Sequence, residues 1–318
     1  MKASIARREM VRRALRQWGI GACRLELLRH GENAVYKVRA AQGAFVARLT
    51  TPRFQSPVSV RGELRFIQRC VECGIRAAEP VPNRSGDLLT LVPNLEPDVR
   101  QTERIVSLFQ FVPGRRVNKR NLTENFARAW GATTARMHAA TENFRQLKNA
   151  RRPVWDEVEF QAEPQSEELN RQDWFRREWE MCAVWLRDLP REEWGLIHAD
   201  FHPGNFKVRR GEIYVFDFDD SFVGWRMYDL AVIWNVLAEV GDENWTSLRR
   251  RAFLEGYRAV RELAGVWEER IAGFQRMRDV WIASWGALRS DVPRVRAWHA
   301  RFVERLKQKV TGGRAPLI

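Results

Sequence analysis

Near the start of the chain, apolar positions alternate with polar ones over residues 23–28, 35–40 and 45–50. Turn-forming Gly31–Glu32–Asn33 and Ala41–Gln42–Gly43 separate the three stretches, a pattern that predicts an antiparallel meander. Over residues 57–74 the period lengthens: Val60, Leu64, Ile67 and Val71 recur at helical spacing, with Pro57 near the start and Gly74 just past the end, so a capped helix is expected. Pro80–Val81–Pro82 breaks the chain, residues 87–92 and 104–112 read as two further strands, and Pro113–Gly114 closes the section with a turn. Beyond it the chain becomes mainly helical, with three-to-four spacing of apolar residues over 124–140, 167–189, 227–240, 246–264 and 267–288. Two short apolar runs, Gly195–Leu196–Ile197 and Ile213–Tyr214–Val215–Phe216, interrupt the helices. The expected class is α+β: an N-terminal antiparallel sheet with one inserted helix, then a mainly helical region.

Composition narrows the function. The 318 residues are 45% hydrophobic and 30% charged, with 20 Gly and 13 Pro, ordinary usage for a globular chain and long enough for two lobes with cores. No run approaches the ~18 uncharged apolar residues of a membrane span. The first 18 residues interleave Lys2, Arg7, Arg8, Arg12, Arg13 and Arg16 with apolar residues, which disfavours a secretory signal. An amphipathic first helix, with Ile5, Val11, Leu15 and Trp18 on one face, is a simpler reading than a mitochondrial-type transit segment. Four cysteines are too few to staple a chain of this length, and Cys70 and Cys73 have no second pair to complete a zinc site, so their helix face reads as packing and a reducing cytoplasm is expected. The net charge of +14 would attract phosphate-bearing molecules. Yet Arg is scattered among acids, and zinc-finger spacing, an RNP-like aromatic box and a Gly/Arg tract are all missing, so nucleic acid is not the expected partner. The 14 Trp sit at helical positions suited to core packing.

The chemistry concentrates in one stretch: His198–Ala199–Asp200–Phe201–His202–Pro203–Gly204–Asn205, then a hairpin through Arg209–Arg210–Gly211, then Asp217–Phe218–Asp219–Asp220. Phosphoryl transfer needs a carboxylate for the proton of the attacking hydroxyl and oxygen ligands for Mg²⁺. Asp200 suits the first need, Asn205 and Asp217 the second. Pro203–Gly204 turns the chain between them.

These residues resemble the aminoglycoside phosphotransferase family of small-molecule kinases, choline-kinase-like proteins with the protein-kinase fold. The loop from His198 to Asn205 is similar to the family's H-G-D-x-H-x-G-N wording, and Tyr228–Asp229–Leu230–Ala231 to its Y-D-L-A element. The resemblance implies a bilobal fold, with residues 1–111 as the N-lobe and 112–318 as the C-lobe. It further implies Arg48 on the nucleotide phosphates with Glu63 as its ion-pair partner, and a hinge with Gln110, Phe111 and Val112 holding adenine. His198 would pack beneath the loop and fix its backbone near the catalytic Asp200, while Asp229 would anchor that backbone from a helix N-terminus. The Gly-rich loop of protein kinases is replaced by Gly31 alone.

An ATP- and Mg²⁺-dependent transfer to a hydroxyl of a small-molecule acceptor is therefore expected. The acceptor stays open. Asp156, Glu157, Glu159, Glu163, Glu167, Glu168, Asp173, Glu178 and Glu180 outnumber Arg171, Arg176 and Arg177 in one segment, which suits an amine-bearing acceptor of aminoglycoside, choline or homoserine type and equally suits a solvated helix. His202 reads as a loop-surface residue or a substrate contact, and Asp219 and Asp220 as hairpin acids. A bacterial protein Ser/Thr kinase would keep the same residues; a non-catalytic nucleic-acid-binding protein on a kinase-like scaffold would not need Asp200.

Overall fold

Residues 3–31, 33–51, 55–96, 102–118, 121–142, 151–154, 166–239, 241–287 and 293–312 are described in a computed structural model of the chain. In chain order they form α1 (Ala3–Leu15), β1 (Cys23–His30), β2 (Ala34–Ala40), β3 (Gly43–Thr50), α2 (Pro57–Glu72), β4 (Leu89–Pro93) and β5 (Glu103–Gln110). Then come α3 (Glu124–Ala140), α4 (Glu167–Asn170), α5 (Asp173–Asp188), β6 (Trp194–Ile197), β7 (Phe206–Arg209), β8 (Glu212–Val215) and β9 (Phe222–Trp225). The chain ends in α6 (Met227–Ala238), α7 (Glu243–Arg258), α8 (Gly265–Glu269), α9 (Ile271–Ala287) and α10 (Pro293–Thr311). Two compact units interleave along the sequence: Met1–Asn121 with Ala139–Pro153 and Pro203–Ser221, and Leu122–His138 with Val154–His202 and Phe222–Ile318.

The first unit is built on a five-stranded antiparallel sheet in the order β1-β2-β3-β5-β4. Inward positions of alternating strands, Tyr36, Val38, Ala47, Leu49, Val106 and Leu108, bury against Met10, Val11, Ala14 and Leu15 of α1. The buried stripe of α1 differs from the expected one. Ile5 is 54% exposed, and Ala6 and Met10 take its place, because small alanines let the helix sit close to the sheet. Trp18 follows this face and donates its indole N–H to the Val81 carbonyl at 2.7 Å. Helix α2 is capped as its sequence suggests: the Ser56 hydroxyl accepts from the Ser59 N–H at 3.2 Å, Pro57 opens it, and Gly74 turns the chain with φ +78°. Val60, Leu64 and Ile67 are buried; so is Cys70, whereas Cys73 is exposed.

Strands β7 and β8 form a hairpin of this same unit, tied to it by bridges from Ala77 to Val215 and from Arg115 to Val208. Its tip needs two residues at positive φ to match the twist of the strands, and Arg210 (52°) and Gly211 (81°) supply them.

The second unit is helical around the short β6–β9 pair. The helix expected over residues 167–189 is split into α4 and α5 at Arg171 and Gln172, and that over 267–288 into α8 and α9 at Arg270. Both breaks fall at polar residues, where no apolar contact is lost by interrupting the period. Helix α10 and strand β9 were not expected. The apolar stripe of α10 thins to Trp298, Phe302 and Leu306 in a strongly basic sequence, and β9 is only four residues long. Among the described residues, no helix is long and apolar enough to cross a membrane.

Helices α3 and α7 approach at backbone distance through reciprocal glycines. A β-carbon on Gly131 would overlap the Phe253 carbonyl oxygen, and one on Gly256 the Arg128 carbonyl. Gly131→Ala and Gly256→Ala should each cost about 1–3 kcal/mol by forcing the helices apart. Gly265→Ala, with open space around its β-carbon, should leave the melting temperature unchanged. Thermal denaturation of the three variants checks this, and equal melting temperatures would contradict the close crossing.

Candidate active site

In the second unit, apolar β6 ends at Ile197 and the chain enters the polar loop directly. Asp229, in the first turn of α6 and fully buried, holds that loop. Its carboxylate accepts from the His198 N–H at 3.0 Å and the Ala199 N–H at 2.6 Å. A third partner is His138, whose Nε2 lies 3.0 Å from the same carboxylate while Nδ1 lies 2.8 Å from the Tyr257 hydroxyl. Burial holds the His138 pKa below its usual value despite Asp229, so a neutral ring donates through Nε2 and accepts from Tyr257 through Nδ1. Two short bonds to the backbone sustain Ala199 at φ +69°, a conformation costing about 1–3 kcal/mol for an L residue.

The next residue is Asp200. The buried His198 ring stacks on Phe201 with centroids 5.4 Å apart, and its Nδ1 accepts from the Asp200 N–H at 3.3 Å. The Asp200 carboxylate keeps 26% of its side chain exposed, with His202 Nε2 at 3.1 Å from one oxygen and Arg278 Nη2 at 3.6 Å from the other. Burial alone would raise this carboxyl. The His202 hydrogen bond and charge, with Arg278 and His198, outweigh burial and hold it below the usual carboxylate range. Asp200 is thus an ionised, partly open carboxylate on a fixed loop.

In the first unit, the β7–β8 register carries Asn205 and Asp217 to the same end of one hairpin. Phe206 pairs with Val215, and the Phe216 N–H donates to the Asn205 carbonyl at 3.0 Å. Asp217 stands at φ +65°, a further non-glycine residue, after Arg210 and Ala199, held in the left-handed region. Burial and the like charge of Asp219 push the Asp217 carboxyl above its usual range, against Arg48 and Arg29. The end of β1 and the turn that follows it supply donors: Arg29 Nη1 reaches Asp217 at 3.1 Å, and the Asn33 side-chain amide donates to Asp219 at 2.7 Å. Glu32 lies outside the described residues.

Arg48 on β3 and Glu63 on α2 form a buried bidentate pair at 2.7 and 2.6 Å, the pair the sequence led us to expect. At the end of β5 the Gln110 N–H donates to the Glu79 carbonyl at 2.8 Å and the Val112 carbonyl accepts from Lys207 Nζ at 3.1 Å. Between them the Phe111 ring lies under two ammonium groups, those of Lys37 at 4.0 Å and Lys207 at 4.7 Å.

Several participants were invisible in the sequence. Arg152, 4% exposed, donates to the Ser221 carbonyl at 2.7 Å, the Asp219 carbonyl at 2.5 Å and the Ser59 carbonyl at 3.1 Å, pinning the backbone that follows Asp217. Gln55 adds a bond to the Asp219 carbonyl at 2.8 Å. His138 offered one signal, as one of only five histidines, set in an apolar helix. Arg152, Gln55, Arg29 and Arg278 offered none.

The acid-rich segment does not form a wall in its described part. Glu167 and Asp173 are 92% and 72% exposed and pair locally, with Arg171 just past the end of α4 and with Arg176 on α5, and buried Glu178 is held by Arg276 at 2.6 Å through both oxygens. Asp156, Glu157, Glu159 and Glu163 lie outside the described residues.

Comparison with known proteins agrees with this geometry. Residues 24–263 match the model of the phosphotransferase enzyme family, APH. An amicoumacin kinase of Bacillus subtilis (strain 168) is 26% identical over 289 residues, covering 86% of this chain and 83% of that protein. A homoserine kinase of Xanthobacter autotrophicus is 27% identical over 244 residues, covering 74% of this chain and 70% of that one. The solved structure of amicoumacin kinase hAmiN in complex with AMP-PNP, Ca²⁺ and Ami superposes with a TM-score of 0.77 at 25% identity, over 90% of this chain and 88% of the other.

Proposed function

Because the chain belongs to the phosphotransferase enzyme family, with 24–263 matched to its model, we propose that it transfers the γ-phosphoryl group of ATP, with Mg²⁺, to a hydroxyl of a small molecule. The observation that carries this reading is Asp200: an ionised carboxylate, open to one side, on a loop fixed by buried hydrogen bonds. Asp200 accepts a hydrogen bond from the acceptor hydroxyl, orients its lone pair, and takes its proton as the new P–O bond forms and the bond to the ADP oxygen breaks. His198 positions Asp200 through its backbone N–H and does not meet the reacting atoms.

Nucleotide duties fall to the first unit. Asn205 and Asp217 would hold the metal. They fit it, since both offer oxygen, and the charge crowding of Asp217 beside Asp219 favours a cation there. When bound, Mg²⁺ supplies charge neutralisation on the phosphate oxygens. Arg48, oriented by Glu63, serves the α- and β-phosphates, and the stretch Gln110, Phe111 and Val112 serves adenine. The lobe division at residue 111 belongs to the same reading. The acceptor we assign is a small amine-bearing alcohol; support comes from the homoserine kinase relative and not from the exposed, paired Glu167 and Asp173. The four free cysteines suit a reducing cytoplasm.

The test is detection of a phosphorylated product by mass spectrometry in a panel of amino alcohols, aminoglycosides and related antibiotics. Metal dependence is checked separately. ATP should bind more tightly with Mg²⁺ or Mn²⁺, and Asp217→Ala should abolish that gain; equal affinity in calorimetric titrations of the wild type with and without the ion would remove the metal from this scheme.

A further inference from the structure

On helix α9 the charged residues are Arg276, Arg278 and Asp279. Two of them are fully engaged. Arg276 makes a bidentate pair with Glu178 at 2.6 Å, and Asp279 accepts from Lys309 at 2.6 Å and from Asn235 at 3.4 Å. Arg278 is different. Its side chain is only 18% exposed, its Nε is buried without a partner, and its sole polar neighbour among the described residues is Asp200, at 3.6 Å, beyond hydrogen-bond reach. A guanidinium cannot shed its proton, so an enclosed one with five unspent donors costs free energy unless something binds it.

Resting on the kinase reading, we infer that Arg278 is a specificity-determining residue that receives a carboxylate of the acceptor beside the hydroxyl held by Asp200. A planar carboxylate matches the guanidinium fork in two parallel bonds. The same helix face extends the surface: Trp281, Ile282 and Trp285 follow Arg278 at the i+3, i+4 and i+7 positions, and all are half-buried. An acceptor with its carboxylate on Arg278 would lay its apolar body along these residues and present its hydroxyl to Asp200. A purely cationic acceptor would meet the fixed positive charge of Arg278 at the same point, which a zwitterionic amino alcohol avoids through its own carboxylate.

The experiment compares hydroxy acids with their amides as acceptors: homoserine with homoserinamide, serine with serinamide, and 4-hydroxybutyrate with 4-hydroxybutyramide. Losing one charge-assisted bidentate contact corresponds to about 10–100-fold in kcat/KM, so each wild-type pair should differ by that much in favour of the acid. Arg278→Gln should reduce the ratio to about 1 by raising KM for the acid and not for the amide, while any loss of kcat from the weakened support of the Asp200 charge falls on acid and amide alike and leaves the ratio unaffected; Arg278→Lys retains part of the ratio. The melting temperature of Arg278→Gln should equal or exceed that of the wild type, because no folded-state hydrogen bond is removed; a structural role would lower it.

Equal kcat/KM within the wild-type pairs would overturn the inference, as would an Arg278→Gln effect on KM for ATP in place of the acceptor, which would mean a phosphate contact. Transfer to none of the acids also overturns it, yet leaves the kinase reading standing if ATP still binds with the metal dependence that Asp217→Ala removes. Absence of both transfer and metal-dependent ATP binding is the separate failure of the kinase reading.

Discussion

Replacement of Asp200 by alanine should slow turnover by ~10²–10⁴-fold while leaving nucleotide affinity nearly unchanged. The size follows from the place of the carboxylate in the reaction. In a loose phosphoryl-transfer transition state the nucleophile is still largely protonated, so the base mainly orients the hydroxyl and removes its proton late. The surroundings of Asp200 suit the proposed role: the backbone is fixed from both sides by Asp229 and His198, and its charge is protected by His202 and Arg278 against the burial that would otherwise protonate it. Asp200→Asn retains the shape and can orient a hydroxyl, but cannot take its proton, and should fall with the alanine variant in kcat. Both variants should bind ATP as the wild type does, since the expected nucleotide contacts, Arg48, Asn205 and Asp217, are left intact. Turnover of either variant near the wild-type rate, on an acceptor the wild type phosphorylates, would sink the assignment.

The parts of this site that sequence reveals are those whose chemistry is local. The loop from His198 to Asn205 compresses a carboxylate, a turn and an amide into eight residues, and the ion pair of Arg48 with Glu63 is the one that the family resemblance implied. Asp229 is legible for a similar reason, set at a helix start in a recognisable wording. What remains hidden is support that reaches across the chain. Tyr257 stands 119 positions from His138, Arg152 stands 67 from Asp219, and Arg29 stands 188 from Asp217; no periodicity connects them. The acid-rich segment misleads in the opposite way, because charge counts do not tell that Glu167 and Asp173 spend their charge on arginines three or four residues further along the chain. Apolar period likewise overran the breaks at Arg171 and Arg270 and passed over basic α10.

Removal of the Asp229 carboxylate should have the largest effect on stability, because three groups lose their acceptor at once in a fully buried place. The His198 and Ala199 N–H groups and His138 Nε2 all point at its two oxygens. Leaving such donors unsatisfied costs ~1–3 kcal/mol each, and breaking a buried charged cluster ~3–5 kcal/mol in all, since the losses overlap. Asp229→Ala should therefore lower unfolding stability by about 3–5 kcal/mol. Asp229→Asn keeps one acceptor oxygen but turns an NH₂ group toward a donor, so an intermediate loss is expected. Tyr257→Phe, which removes only the hydroxyl behind His138, should cost about 1 kcal/mol and keeps the series informative if the alanine variant does not fold. Turnover should fall in the same order at temperatures where all variants are folded, because Ala199 loses the two bonds that sustain its positive φ and Asp200 then leaves its oriented position. Urea unfolding, with kcat measured beside it, reads both effects. A wild-type midpoint for Asp229→Ala would show that the loop is held by other means, and a stability loss without any loss of turnover would separate the buttress from the chemistry it is argued to serve.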